Sequence, residues 1–209
     1  TLCIFITYFY FSNFFLEFFI EQDLETILEA IKEASDDYEN TLKRCNEFSE
    51  KLYSDAVNVG GEKYSELLLL AYRQVIAAHK LTWCDGEMQF VSKECASNGC
   101  VATVDITYPS MPMFLLLNPK LVEAMLTPIM RYALSSEWPY DFAPHDLGRY
   151  PKANRQVYGC KSEKTSPQHL ADPNNKNDFI YAWQMPVEES GNMIICIAAM
   201  CKTLGDYSY

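Results

Sequence analysis

Gln184-Met-Pro-Val-Glu-Glu-Ser-Gly-Asn-Met-Ile-Ile-Cys-Ile-Ala-Ala-Met200 is the stretch on which the reading of the fold turns. Pro186 suits the first turn of a helix, where its missing N–H costs nothing. The apolar run from Met193 onward predicts a buried helix over Val187–Leu204, closed by Gly205. Glu188 and Glu189 then fall in the first turn, beside the positive end of the helix dipole. Two acids at a buried helix entrance either cap the helix or carry chemistry.

Working outward, helical periods recur. Leu24, Ile27, Leu28, Ile31, Ala34, Tyr38, Leu42, Cys45 and Leu52 predict one long amphipathic helix over Asp23–Leu52, with an acidic outer face. Gly60-Gly61 punctuates, and Glu62–Leu81 reads as a second helix, apolar on most sides and therefore buried. On it, Arg73, Gln74 and His79 are expected to be core polar groups with partners. Asp85-Gly86 predicts a hairpin turn between Leu81–Cys84 and Met88–Ser92. Val101–Tyr108 reads as a short extended piece ending at Pro109. Asn118-Pro119 opens a third helix that reaches Ala133, with Pro128 expected to kink or interrupt it. Trp138–Tyr158 is irregular, and the polar residues around 161–178 read as an exposed loop. Four firm helices emerge, so the fold class is mainly α with long loops and a short β-hairpin.

Composition narrows the function classes. The chain has 209 residues, 49% of them hydrophobic and 22% charged, in keeping with a folded globular chain. A net charge of −11 without a basic stripe argues against nucleic acid as partner. Residues 1–22 form an apolar, aromatic-rich segment. Thr1–Ile20 carries seven of the twelve Phe and a single charge, Glu17. Its length would just span a bilayer, so membrane association is weakly indicated, but it lacks a basic start and a small-residue cleavage site. The eight cysteines show no CxxC pair of the zinc type, no metal-ligand set stands out, and no cofactor is implied.

Three stretches recur in a fixed order: Thr103-Val-Asp-Ile-Thr-Tyr-Pro-Ser110 with Phe114–Pro119; Trp138-Pro-Tyr-Asp-Phe-Ala-Pro-His-Asp-Leu-Gly148 with Tyr150-Pro151; and Gln184–Met193. With Gly60-Gly61-Glu-Lys-Tyr64 and Ala71-Tyr-Arg-Gln74 ahead of them, they resemble the fungal glutaminase A family. The resemblance covers roughly Asp23 to Tyr209. It implies that residues 23–209 are part of an (α/α) toroid-type helical domain, with a polar insertion near 161–178. It also implies hydrolysis of the glutamine side-chain amide and a secreted or extracellular setting. Family members are several times longer, so this chain is expected to correspond to a partial domain that is inactive alone.

Amide hydrolysis needs an activated water or nucleophile, a proton donor for departing ammonia, and stabilisation of the oxyanion. No Gly-x-Ser-x-Gly elbow is present, which turns attention to carboxylates. Asp146 is the expected general acid, with His145 able to share the role. Glu188 and Glu189, stabilised as anions by the helix dipole, fit a base or an anchor for the α-ammonium of glutamine. Arg73 or Arg155 is the candidate partner of its carboxylate. Asp105, Tyr108 and Asn192 complete the candidate substrate contacts, although Asp105 and Asn192 could equally serve the local backbone. Two other functions remain open at this point. Helical toroids also support glycoside hydrolysis by paired carboxylates, and a non-catalytic helical interaction module fits the short length.

Overall fold

The computed structural model describes residues 24–84, 86–94, 97–150, 152, 153, 155, 156, 158 and 184–209; of residues 24–27 and Trp83 it describes the backbone alone. The apolar segment over residues 1–22 and the polar stretch over 161–178 lie outside the described residues. The chain divides into two compact units that meet between Met88 and Gln89.

In the first unit, α1 spans Leu24–Asp36, α2 Tyr38–Gly60 and α3 Glu62–Ala78. The single long helix expected over Asp23–Leu52 is therefore two. Asp37 leaves helical geometry at φ −94° and ψ 7°. Its carboxylate accepts hydrogen bonds from the Thr41 hydroxyl at 2.9 Å and the Arg44 guanidinium at 3.2 Å. A short acidic side chain drawn onto neighbouring groups competes with helix continuity, and periodicity alone does not register that. α2 then runs eight residues past the expected Leu52, because Gly61 is what ends it. At φ +81° Gly61 occupies a region that L side chains rarely adopt, and its N–H returns to the Val57 carbonyl at 2.9 Å. α3 follows directly and packs back on α2. Fully buried Ser65 ties the pair together by donating to the Tyr53 carbonyl at 3.2 Å, and Phe48 meets Tyr72 with ring centroids 5.3 Å apart.

The expectation that α3 is a buried helix does not hold over much of its surface. Arg73 and Gln74 are exposed, as are Leu67 and Leu70. His79 is the exception, at 1% exposure, and its Nδ1–H donates to the Val75 carbonyl at 2.7 Å. It also ends the helix earlier than Leu81, since at φ −100° and ψ 153° the backbone has already become extended. Strand β1, His79–Cys84, pairs with β2, Glu87–Ser92, in a two-stranded sheet, as the Asp85-Gly86 signal predicts.

The second unit is built on α4 (Val104–Leu117), α5 (Pro119–Ala133) and α6 (Pro186–Leu204), each of which packs against the other two. α4 is the largest departure from the sequence reading, which expects Val101–Tyr108 to be extended. Pro109 and Pro112 lie inside it and each removes a helical hydrogen bond. The helix forms because Val104, Thr107, Met111 and Phe114 fall on one face and are buried there. Phe114 is fully buried, edge-on to Phe90 at 5.1 Å. Tertiary burial here outweighs local propensity. α5 likewise continues through buried Pro128 without interruption. Asn118 and Pro119 stand at cap and first position as expected, though the Asn118 side chain makes no capping bond. α6 begins one residue before the expected Val187 and ends at Leu204 as expected, and Gly205 closes it in left-handed geometry, its N–H bonded to the Cys201 carbonyl at 2.9 Å. Cys45, Cys100, Cys196 and Cys201 are free thiols.

Six helices and one small sheet among the described residues make the fold mainly α, as expected, with two helices more than the sequence signals count. No helix among the described residues is long and apolar enough to cross a membrane.

Candidate functional site

The site lies in the second unit, where three short extended segments run side by side. Val101 exchanges hydrogen bonds with the far loop, its N–H to the Gly148 carbonyl at 2.8 Å and its carbonyl to the Leu147 N–H at 2.9 Å. On its other side the Ala102 N–H reaches the Ser92 carbonyl at 2.8 Å. The Val104 N–H, opening α4, bonds the His145 carbonyl at 2.9 Å. This ladder brings Asp105 to His145. Ala102, at φ +52°, holds a backbone geometry that non-glycine residues rarely adopt, at the point where the segment turns into the helix.

His145 and Asp146 are 4% and 0% exposed. The His145 Nδ1–H donates to Asp146 Oδ2 at 2.8 Å, while Asp146 Oδ1 accepts the Gly148 N–H at 2.6 Å. A carboxylate accepts and cannot donate, so the network assigns the Nδ1–H tautomer and turns Nε2 outward. His145 Nε2 faces Asp105 Oδ1 at 3.8 Å. The Tyr158 ring stacks on the imidazole, centroids 4.1 Å apart and 15° from parallel. Gln156, fully buried, holds the loop in place. Its Oε1 accepts the His145 N–H at 2.7 Å, and its Nε2 donates to Gln184 Oε1 at 2.9 Å and the Tyr158 carbonyl at 2.6 Å. The loop is also tied to α6, since the Ala143 N–H donates to Ser190 Oγ at 3.2 Å.

The two adjacent glutamates of α6 part company. Glu188 is exposed, whereas Glu189 is 0% exposed and neither of its carboxylate oxygens meets a donor at hydrogen-bond geometry. Burial pushes the Glu189 carboxyl up to about 8, with Asp105 adding to the rise and with His145 and Asn192 favouring the charge. The helix-dipole expectation of an easily ionised Glu189 is thus overturned, because desolvation outweighs the favourable end charge. Burial pulls the other way on His145. The bond to Asp146 and the charges of Asp146, Glu189 and Asp105 outweigh it, and the imidazole is held above its ordinary range.

The remaining sequence candidates fall out as follows. Asp146 has no exposure and both oxygens engaged, one by the His145 Nδ1–H and one by the Gly148 N–H. Tyr108 is exposed on α4, and Arg73 is exposed on α3 of the first unit. The Arg155 guanidinium is paired with Glu137. Trp138 is buried in an aromatic cluster with Tyr132, Tyr140 and Phe142, and so supports the loop. The sequence reading does not single out Gln156, Tyr158, Glu94 or Cys100. The first two sit in aperiodic sequence that offers no signal. Buried Cys100 donates its thiol to Asp146, and burial together with the charges of Asp146 and Glu94 pushes that thiol well above its usual range. Although no metal-ligand spacing is visible in the sequence, Glu94, Asp105 and His145 each bring a donor atom within 4.8 Å of the other two.

Paired helices carrying a carboxylate-ringed imidazole define a helical-hairpin protein with a polar, partly buried site. The family described as the glutaminase A six helical-hairpin domain matches residues 61–209, and the chain belongs to that family. Its fold class is accordingly the helical, toroid-type class expected from the sequence. The chain is 30% identical over 174 residues to glutaminase A of Aspergillus oryzae (strain ATCC 42149 / RIB 40), covering 83% of this chain and 22% of that protein. It is 31% identical over 157 residues to a probable glutaminase of Arthroderma benhamiae (strain ATCC MYA-4681 / CBS 112371), covering 75% of this chain and 16% of that protein. The chain thus spans about a fifth of the length of the curated relatives it matches. No solved structure matches it.

Proposed function

We propose that this chain supplies a hydrolytic site for the side-chain amide of L-glutamine, within a protein that releases glutamate and ammonia. The observation that carries the reading is the convergence of an oriented His145 with Asp105 and with Glu189, a fully buried carboxyl beside Asn192. The names of the curated relatives support the same reaction.

Water attacks the amide carbon from the Nε2 side of His145, giving a proton to Nε2 as the C–O bond forms, and the C–N bond breaks as the nitrogen takes up a proton. Asp146 fixes the imidazole, in the manner of a buried acid behind a catalytic histidine. Glu189, which burial keeps protonated further up the pH scale than an ordinary glutamate, suits the proton donor for the departing nitrogen. Asp105, half-buried beside His145, suits the α-ammonium of the substrate or the attacking water.

The test is ammonia release from L-glutamine by the protein that carries this chain, with an aryl glycoside assayed in parallel. His145→Ala and Glu189→Gln are each expected to lower ammonia release by about 10²–10⁴-fold, the range for loss of a positioned acid or base. Unchanged release in both variants overturns the site. Turnover of the glycoside alone overturns the substrate.

A further inference from the structure

One feature of the site has no use in the hydrolytic scheme. Glu94, just beyond β2, reaches toward the same point as Asp105 and His145, with the three donor atoms mutually within 4.8 Å. The three residues come from different places in the chain, one after β2, one in the first turn of α4 and one in the loop before α6. Glu94 and His145 are anchored by backbone pairing. The Glu94 N–H bonds the Cys100 carbonyl at 2.9 Å, and the Val104 N–H bonds the His145 carbonyl at 2.9 Å.

The imidazole is oriented as a ligand is. Its Nδ1–H is committed to Asp146 Oδ2 at 2.8 Å, and in that neutral tautomer Nε2 carries a lone pair. Nε2 faces Asp105 Oδ1 at 3.8 Å, so the free ring nitrogen and a carboxylate oxygen converge on one point. A carboxylate behind the far nitrogen of a histidine is the usual second-layer support of a metal-bound imidazole. Glu189 supplies the independent sign. It is fully buried, neither oxygen meets a donor at full hydrogen-bond geometry although Asn192 lies beside it, and it interacts electrostatically with both His145 and Asp105. Glu94, Asp105, Asp146 and Glu189 bring four carboxyl groups to one imidazole.

We propose that Glu94, Asp105 and His145 bind a first-row divalent cation, Mn²⁺ or Zn²⁺, with Glu189 providing further negative charge beside it. One imidazole nitrogen with two carboxylate oxygens is a borderline donor set that suits these ions better than Mg²⁺ or Ca²⁺, which favour oxygen alone. Bonds of about 2.0–2.2 Å would place the donors roughly 3.0–3.5 Å apart. Closing from the present separations takes about 1 Å of side-chain adjustment, within reach of the half-buried Glu94 and Asp105. Binding does not depend on glutamine being the substrate.

The test uses the whole protein that carries this chain, freed of metal with chelator and titrated with Mn²⁺. Free Mn²⁺ is followed by electron paramagnetic resonance, and the bound ion is probed for coupling to an imidazole nitrogen. The expected result is one binding equivalent that Zn²⁺ displaces. Glu94→Gln and Asp105→Asn, whose folding is checked by circular dichroism, should each weaken it by about ten-fold or more. Glu189→Gln should weaken it by about ten-fold as an outer residue. The nitrogen coupling should vanish in His145→Gln. No binding beyond that of the Glu94→Gln variant overturns the proposal, leaving a protonated His145 among carboxylates as the site's resting state. Bound Mn²⁺ without nitrogen coupling overturns it equally, because the ion then sits on surface acids. Ammonia release unaffected by metal would count against neither binding nor the hydrolytic site, so the two readings fail separately.

Discussion

His79 and His145 are both buried, at 1% and 4% exposure, yet the protein moves their imidazoles in opposite directions. At His79, burial at the end of α3 dominates, the hydrogen bond to Val75 offsets only part of it, and the pKa falls to about 4. At His145, burial exerts the same downward push, but Asp146, Glu189 and Asp105 together outweigh it. The cost of a buried imidazolium is therefore set less by depth than by which charges share the space. One histidine is a neutral packing group that terminates a helix. The other is poised at the centre of a carboxylate ring.

Removing the charge behind His145 breaks the contrast most strongly. Asp146→Asn keeps the shape but replaces an obligatory acceptor with a group able to present either an oxygen or an amide. The imidazole loses its assigned tautomer, and ammonia release is expected to fall by about 10²–10⁴-fold while the thermal transition persists. Full activity in that variant would remove Asp146 from the site.

The next largest effect belongs to His79. A histidine whose folded pKa lies below its unfolded one takes up a proton more readily once unfolded. Its contribution to folding stability is therefore intact above about pH 6.5, falls as the pH drops toward 4, and levels off below that. The whole shift is worth roughly 3 kcal/mol. Urea unfolding of wild type and His79→Gln between pH 7 and 4 isolates it as the difference in slope. Parallel curves for the two proteins would contradict the buried-neutral assignment.

The smallest effect calibrates the others. Lys51 and Asp55 form an ion pair on α2 at 2.6 Å, with side chains 75% and 61% exposed. Water screens such a pair, so Lys51→Ala should change the unfolding free energy by no more than about 0.5 kcal/mol. A larger loss would mean that surface charge on this acidic chain matters more than the contrast between the two histidines allows.

Much of the helical frame was legible in the residues themselves. The period through Leu121, Val122, Met125, Leu126 and Ile129 and the Pro186–Gly205 pattern give α5 and α6, since caps and spacing are local properties. α4 was not legible, because Pro109 and Pro112 argue against a helix until the burial of Val104, Met111 and Phe114 is known. The site was half legible. His145, Asp146, Asp105 and Glu189 stand out by chemistry and by order along the chain. Gln156 and Tyr158 do not, because what makes them matter is the partner each meets across the fold.

By itself the sequence determined the mainly α character, the family, and the acids and histidine that can do chemistry, because periodicity, capping residues and motif order are carried by neighbouring positions. Only the tertiary structure decided that Glu188 faces solvent while Glu189 is buried, that Asp146 is buried against His145, and that Glu94 comes near Asp105. Those outcomes depend on desolvation and on charges brought together from distant segments, and no local pattern encodes either.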